Sequence, residues 1–143
     1  FTEPFENFRH QHQNLRTENG VRYGDLPEFV DFGYVADVAR INAAGLATLA
    51  LAPPPPRGVR LDATELTNDS TLLWERSPGA AAYRVVWRST DSTTWQHRRD
   101  VGADTLRLRL DGVSKDNVVF GVMALSARGH PSLAVYPLPL MRR

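Results

Sequence analysis

The sequence predicts a mainly β chain: a seven-stranded antiparallel sandwich over residues 57–143, preceded by an irregular segment and one long α-helix over about 31–51. Three observations lead there. Through the second half, short runs alternate apolar and polar residues, as strands with one buried face do. Turn residues separate those runs at intervals close to about 8–12 residues, the spacing of a β-sandwich. One stretch of the first half instead repeats its apolar positions every three to four residues, the period of an amphipathic helix.

Phe1 to Pro27 is polar, rich in Asn, Gln, His and Glu, and broken by Pro4, Gly20, Gly24 and Pro27, so it reads as irregular. From Asp31, an N-cap residue, apolar side chains fall at Phe32, Val35, Val38, Ile41, Leu46 and Leu49, with Asp37, Arg40 and Asn42 on much of the other face. A helix of ~20 residues, about 30 Å long, follows. One helix and some thirty irregular residues cannot enclose a core. The apolar stripe therefore requires a partner, either the downstream domain or a body on the N-terminal side. Pro53-Pro54-Pro55-Pro56 ends this part, because four prolines cannot continue a helix or enter a central strand. They favour a stiff polyproline spacer of roughly 12 Å. The predicted organisation is thus 1–52, a linker at 53–56, and a sandwich at 57–143.

Within the sandwich, alternation appears in Val59/Leu61/Ala63, Leu72/Trp74, Tyr83/Val85/Trp87, Leu106/Leu108/Leu110 and Phe120/Val122/Ala124, with a last apolar run from Leu133 to Tyr136. Asn68-Asp69, Ser77-Pro78-Gly79, Asp91-Ser92, Asp111-Gly112 and Arg128-Gly129 supply the turns. Arg84, Arg88, Arg107 and Arg109 take the solvent side. The stretches Leu72 to Glu75, Ala82 to Arg88 and Asn117 to Ser132 resemble strands B, C and F–G of fibronectin type III domains. One departure stands out: Val118 occupies the place of the tyrosine usual near the start of strand F. The hydrogen bond of that hydroxyl must be absent or supplied from elsewhere.

Seventeen basic and sixteen acidic residues give a formal charge of +1. That balance argues against nucleic-acid and anionic-membrane binding, and 42% hydrophobic residues argue against disorder. No stretch is long and apolar enough to span a bilayer. Cysteine is absent, which removes disulfides, thiolate nucleophiles and Cys-ligated metals. The basic residues are sixteen Arg and one Lys, a skew of genome composition rather than of phosphate binding. Ser and Thr have no His/Asp setting that would make a nucleophile, and no glycine-rich phosphate loop occurs.

Four histidines remain. His10 and His12 form a His-x-His pair, and in an extended segment both rings would point to one side, toward a metal or a polar cluster. Glu3, Glu6, Glu18 and Asp25 lie near in sequence, though at no diagnostic spacing. His97 and His130 read as exposed and unligated. Trp74, Tyr83 and Trp87 read as core; Trp95, beside Arg98 and Arg99, is the candidate for an exposed interaction surface.

The run from Phe1 to Gln13, followed by Glu18 to Phe32 and the helix, resembles the C-terminal end of the catalytic domain of M28-family zinc peptidases. In particular it resembles bacterial aminopeptidase-like members that carry a fibronectin-like domain after it. The resemblance implies a site of two zinc ions held by two His and several Asp/Glu, with a glutamate general base activating a bridging water. It makes His10 the last zinc ligand in chain order, with His12 as runner-up, and puts Asn14 where the family commonly has an acidic residue supporting the ligand. The first His, the bridging Asp, the Glu base and the remaining carboxylate would lie upstream. The expectation is therefore the C-terminal portion of an exported, secreted or periplasmic, zinc aminopeptidase. Its partners would be the rest of the catalytic domain and a peptide substrate, and this chain alone would be inactive. The alternative is a non-catalytic extracellular interaction module in which 1–52 serves as a docking arm.

Overall fold

The computed structural model describes residues 5–140; Phe1 to Pro4, which open the peptidase-like run, lie outside them with Glu3, as do residues 141–143. The chain forms two compact units, Phe1–Ala43 and Ala44–Arg143.

In the first unit, strands β1 (Arg16–Glu18) and β2 (Val21–Tyr23) form an antiparallel hairpin pairing Arg16 with Tyr23 and Glu18 with Val21. The segment is therefore not wholly irregular. Asn19 and Gly20 take φ of 50° and 78°, the left-handed pair that a tight two-residue hairpin turn requires. The Arg16 guanidinium pairs with Glu18 at 2.7 Å and lies 4.2 Å from the Tyr23 ring centre. Gly24 is buried at φ 124°, and its N–H donates to the Arg9 carbonyl at 3.0 Å, tying the N-terminal turns to the hairpin. A Cβ there would lie 2.3 Å from Leu15 Cδ2 and 3.1 Å from Leu15 Cα. Only glycine allows that approach. A single 3-10 turn, Pro27–Phe29, leads to the helix.

Helix α1 (Phe32–Leu51) has 20 residues, and its start is fixed as the sequence predicts: Asp31 Oδ1 accepts from the Tyr34 N–H at 3.0 Å. None of its residues is buried.

The second unit holds strands β3 (Arg60–Asp62), β4 (Ser70–Leu73), β5 (Ala82–Ser89), β6 (His97–Gly102), β7 (Arg107–Leu110), β8 (Val118–Leu125) and β9 (Leu138–Leu140). They build two sheets, β7-β4-β3-β9 and β6-β5-β8. Six of the seven pair antiparallel; β9 instead runs parallel to β3, a departure from the all-antiparallel expectation. After β8 the chain doubles back beside it through antiparallel bridges at Leu125–Pro131 and Val122–Val135. Pro137, lacking an N–H, cannot prolong that ladder, and the chain crosses to the other sheet.

The core is the set that alternation nominates: Val59, Leu72, Trp74, Tyr83, Val85, Leu110, Phe120, Val122 and Ala124, with Leu61 and Trp87 packed against it. The hydroxyl bond that Val118 cannot make has a counterpart in β5: the buried Tyr83 hydroxyl accepts from the Ser77 N–H at 2.7 Å. Ser77 Oγ in turn donates to the Pro54 carbonyl, and Pro56 is buried, so the proline run is held by this unit and is not a free spacer. On the solvent side Arg84 forms a two-pronged pair with Asp100, both bonds 2.7 Å, and Arg109 bridges Asp69 and Asp111.

Candidate functional site

His10 sits in a series of turns spanning residues 8–12, not in an extended segment, so alternation does not put it on one side with His12. Its ring is half-buried and lies flat on Phe29 of the 3-10 turn, with centroids 3.8 Å apart and planes within 6°. Asn7 holds the ring's other degree of freedom. Its Oδ1 accepts from the Arg9 N–H at 3.1 Å, which turns its Nδ2 toward His10 Nδ1 at 3.2 Å. In that arrangement Nδ1 accepts, and the neutral imidazole carries its proton on Nε2. His10 lines two adjoining hollows of the first unit. One, of about 390 Å³, also takes in Asp25, Leu26, Phe29 and Phe32; the other, of about 370 Å³, Gln11, Asp31 and Tyr34.

His12 has a φ of 52° and an exposed ring; its backbone N–H donates to both Asp25 carboxylate oxygens, at 3.0 and 3.2 Å. Asn14 is exposed, and its carbonyl accepts from Arg16 Nη1 at 3.4 Å. Among the described residues no three His, Asp or Glu side chains come together as a metal group. Zinc sites use three or four protein donors. His10, with Asp25 in the same hollow, fits one side of such a site and not a whole one. Binding through Nε2 also requires the proton to move to Nδ1 and the Asn7 amide to turn over, which keeps a hydrogen bond to the ring but gives up the one from the Arg9 N–H.

The second candidate region lies on the outer face of β6-β5-β8. Register pairs Val86 with Arg98 and Val85 with Arg99. Val85 faces the core, so Arg99 lies on the core side of edge strand β6, while Arg98 shares the outer face with Val86. The structure thus brings Trp95 and Arg98 together and separates Arg99 from them. Trp95 and Arg98 line a groove of about 450 Å³ with Arg84, Val86, Met123 and Pro131. Sequence reasoning missed Val86 and Met123; Val86, buried at an outward position between two arginines, was the available signal. Of the remaining histidines, His97 stacks on Trp87 at 5.3 Å, and the backbone of His130 closes a turn on Ser126.

Among the described residues, no helix is long and apolar enough to cross a membrane. Among the described residues, the charged groups shifted by their neighbours all belong to the second unit. Asp62 is held below the usual carboxylate range, first by the Thr64 hydroxyl, and Asp100 likewise by the Arg84 guanidinium, which its partner raises in turn. None lies in the His10 segment, and Arg84 also lines the groove of Trp95 and Arg98.

No family model matches the chain. Individual relatives do. A probable zinc metalloprotease of Pyrenophora tritici-repentis is 51% identical over 141 residues, covering 97% of this chain and 29% of that protein. One of Leptosphaeria maculans is 51% identical over 142 residues (97% and 32%), and one of Pyricularia oryzae 46% over 145 (97% and 28%). The chain is similar to zinc metalloproteases by name. It spans about 29% of the length of the first of these relatives. Among solved structures, an Fn3-like protein from Clostridium thermocellum superposes with a TM-score of 0.52 at 20% identity, over 64% of this chain and 96% of that one. FN3tt gives 0.50 at 21%, over 64% and 97%. The sandwich has a fibronectin type III-like fold.

Proposed function

We propose that this chain is the C-terminal portion of an exported M28-type zinc aminopeptidase, comprising the end of its catalytic domain and an accessory fibronectin type III-like domain. The observation that supports this most is the reach of the similarity. Relatives named probable zinc metalloproteases match 97% of the chain, so one continuous match takes in both the His10 segment and the sandwich. The relatives are also much longer, leaving room for the remaining ligands and the general base.

In this reading His10 is a zinc ligand. Two zinc ions would polarise the scissile carbonyl and acidify a bound water. This chain's own contribution is orientation: Phe29 fixes the plane of the imidazole, and Asn7, once its amide turns over to accept from Nδ1–H, would leave Nε2 for the metal. Asn14, where the family commonly carries an acid, adds no charge to that support. One imidazole cannot hold two zinc ions, so the 143-residue chain alone is inactive.

The test is intact mass, metal content and hydrolysis of aminoacyl-nitroanilides by the longest natural form of the polypeptide. About two zinc ions per chain and zinc-dependent hydrolysis are expected, both greatly reduced by His10→Ala and retained by His12→Ala. The reverse pattern would make His12 the ligand. Zinc-dependent hydrolysis by the 143-residue chain itself would overturn the fragment reading, and a natural chain of only about 16 kDa without zinc would favour the interaction module instead.

A further inference from the structure

We propose that the groove on the outer face of β6-β5-β8 is a binding site for a short acidic peptide, with an apolar side chain on Trp95 and a carboxylate on Arg98. The floor is built to hold the indole still. Val86 beneath it is only 3% exposed, and Gly121 leaves the backbone bare where Trp95 lies: a Cβ there would meet Trp95 Cη2 at 3.1 Å and Ala134 Cβ at 3.2 Å. The Tyr136 ring lies 5.8 Å from the Trp95 ring, and the Arg88 guanidinium 5.6 Å from the indole centre. A half-exposed aromatic already locked in place loses little freedom on binding, which is what makes tryptophan an anchor at interfaces.

Charge selects the occupant. Of the three arginines on this face, Arg84 is neutralised by Asp100. Arg88 is bonded only to the carbonyls of Ser89 and Ser92, and Arg98 lines the groove; among the described residues neither pairs with a carboxylate. Arg98 in the groove wall and Arg88 against the indole are thus two guanidinium groups without a carboxylate partner, next to one apolar slot bounded by Met123 and Pro131. That complements a side-chain carboxylate next to an apolar residue. A nucleic-acid strand would need a row of cations to follow its phosphates, and neither two arginines nor a chain of net charge +1 provides one.

The probe is a fluorescein-labelled Glu-Phe-Glu-Leu-Glu peptide titrated into the 143-residue chain, with the Gln-Phe-Gln-Leu-Gln peptide as its neutral counterpart. Binding is expected on the order of 100 μM, as suits a small open groove, with the Trp95 indole N–H among the shifted resonances. The neutral peptide and Arg98→Glu should each weaken it at least about tenfold, and Arg107→Glu on the other sheet should leave it unchanged. Arg98→Gln, a milder change, decides the matter if Arg98→Glu alters the circular dichroism of the chain. Equal binding of both peptides, indifference to Arg98, absence of binding at millimolar peptide, or tighter binding of an oligothymidylate would each overturn the proposal.

Discussion

Helix α1 and strand β8 are both apolar, yet five of the eight residues of β8 are buried and none of the twenty of α1 is. Ile41 and Leu46 stand 67% and 68% exposed on the helix, while Val122 and Ala124 on the strand are fully enclosed. The periodicity is sound in each case. What differs is whether the chain supplies an opposing face. A strand in a sandwich finds one in its own fold, with residues tens of positions away closing over it. The helix finds no such face within its own part of the chain, where none of its side chains is fully buried.

The contrast can be broken most directly in the core. Leu72→Ala should destabilise the sandwich by about 2–5 kcal/mol, read from denaturant midpoints of the 143-residue chain, because Leu72 is fully buried between the sheets. Tyr83→Phe keeps the ring but strands the Ser77 N–H, and about 1–2 kcal/mol should be lost.

Acid should act more gently. Asp62 and Asp100 have folded-state pKa values below the ordinary one, held there by Thr64 and by Arg84. Their contribution is complete above the unfolded value of about 3.9 and disappears as pH falls through the lower folded values. The sandwich should therefore lose stability below about pH 4, and Asp100→Asn should flatten that limb. The Asp100 side chain is 47% exposed, so solvent screening keeps its share below about 1 kcal/mol.

The smallest effect sharpens the comparison. Leu46→Ser on α1 should change the same unfolding midpoint by less than about 0.5 kcal/mol, and a loss comparable to that of Leu72→Ala would mean that the helix is buried in solution.

Much of this was legible in the residues. Asp31 marked the start of α1 because a carboxylate before a periodic run satisfies free backbone N–H groups. Alternation identified the core of β4, β5 and β8 because a strand has only two faces. The β1–β2 hairpin escaped for a complementary reason: its residues bury little, so apolar spacing carries no trace of it, although Asn19-Gly20 encodes the turn. The parallel pairing of β9 was invisible because alternation tells which face a residue takes and not which neighbour its backbone meets. At the candidate sites, Arg98 and Arg99 looked like one patch until strand register put them on opposite faces. His10 and His12 looked like a pair until the backbone between them proved to be turned. The stacking of His10 on Phe29 joins residues nineteen positions apart, a contact that no local pattern announces.

Strand β6 has a bearing on how the molecule behaves in crowded solution. It is an open border of its sheet, with main-chain groups available to pair with another molecule. Four of its six residues, His97 to Asp100, carry ionisable side chains. A second copy docking edge to edge would have to strip water from these charged side chains. The border that would let these sandwiches polymerise into a continuous sheet is thereby kept wetted by charge.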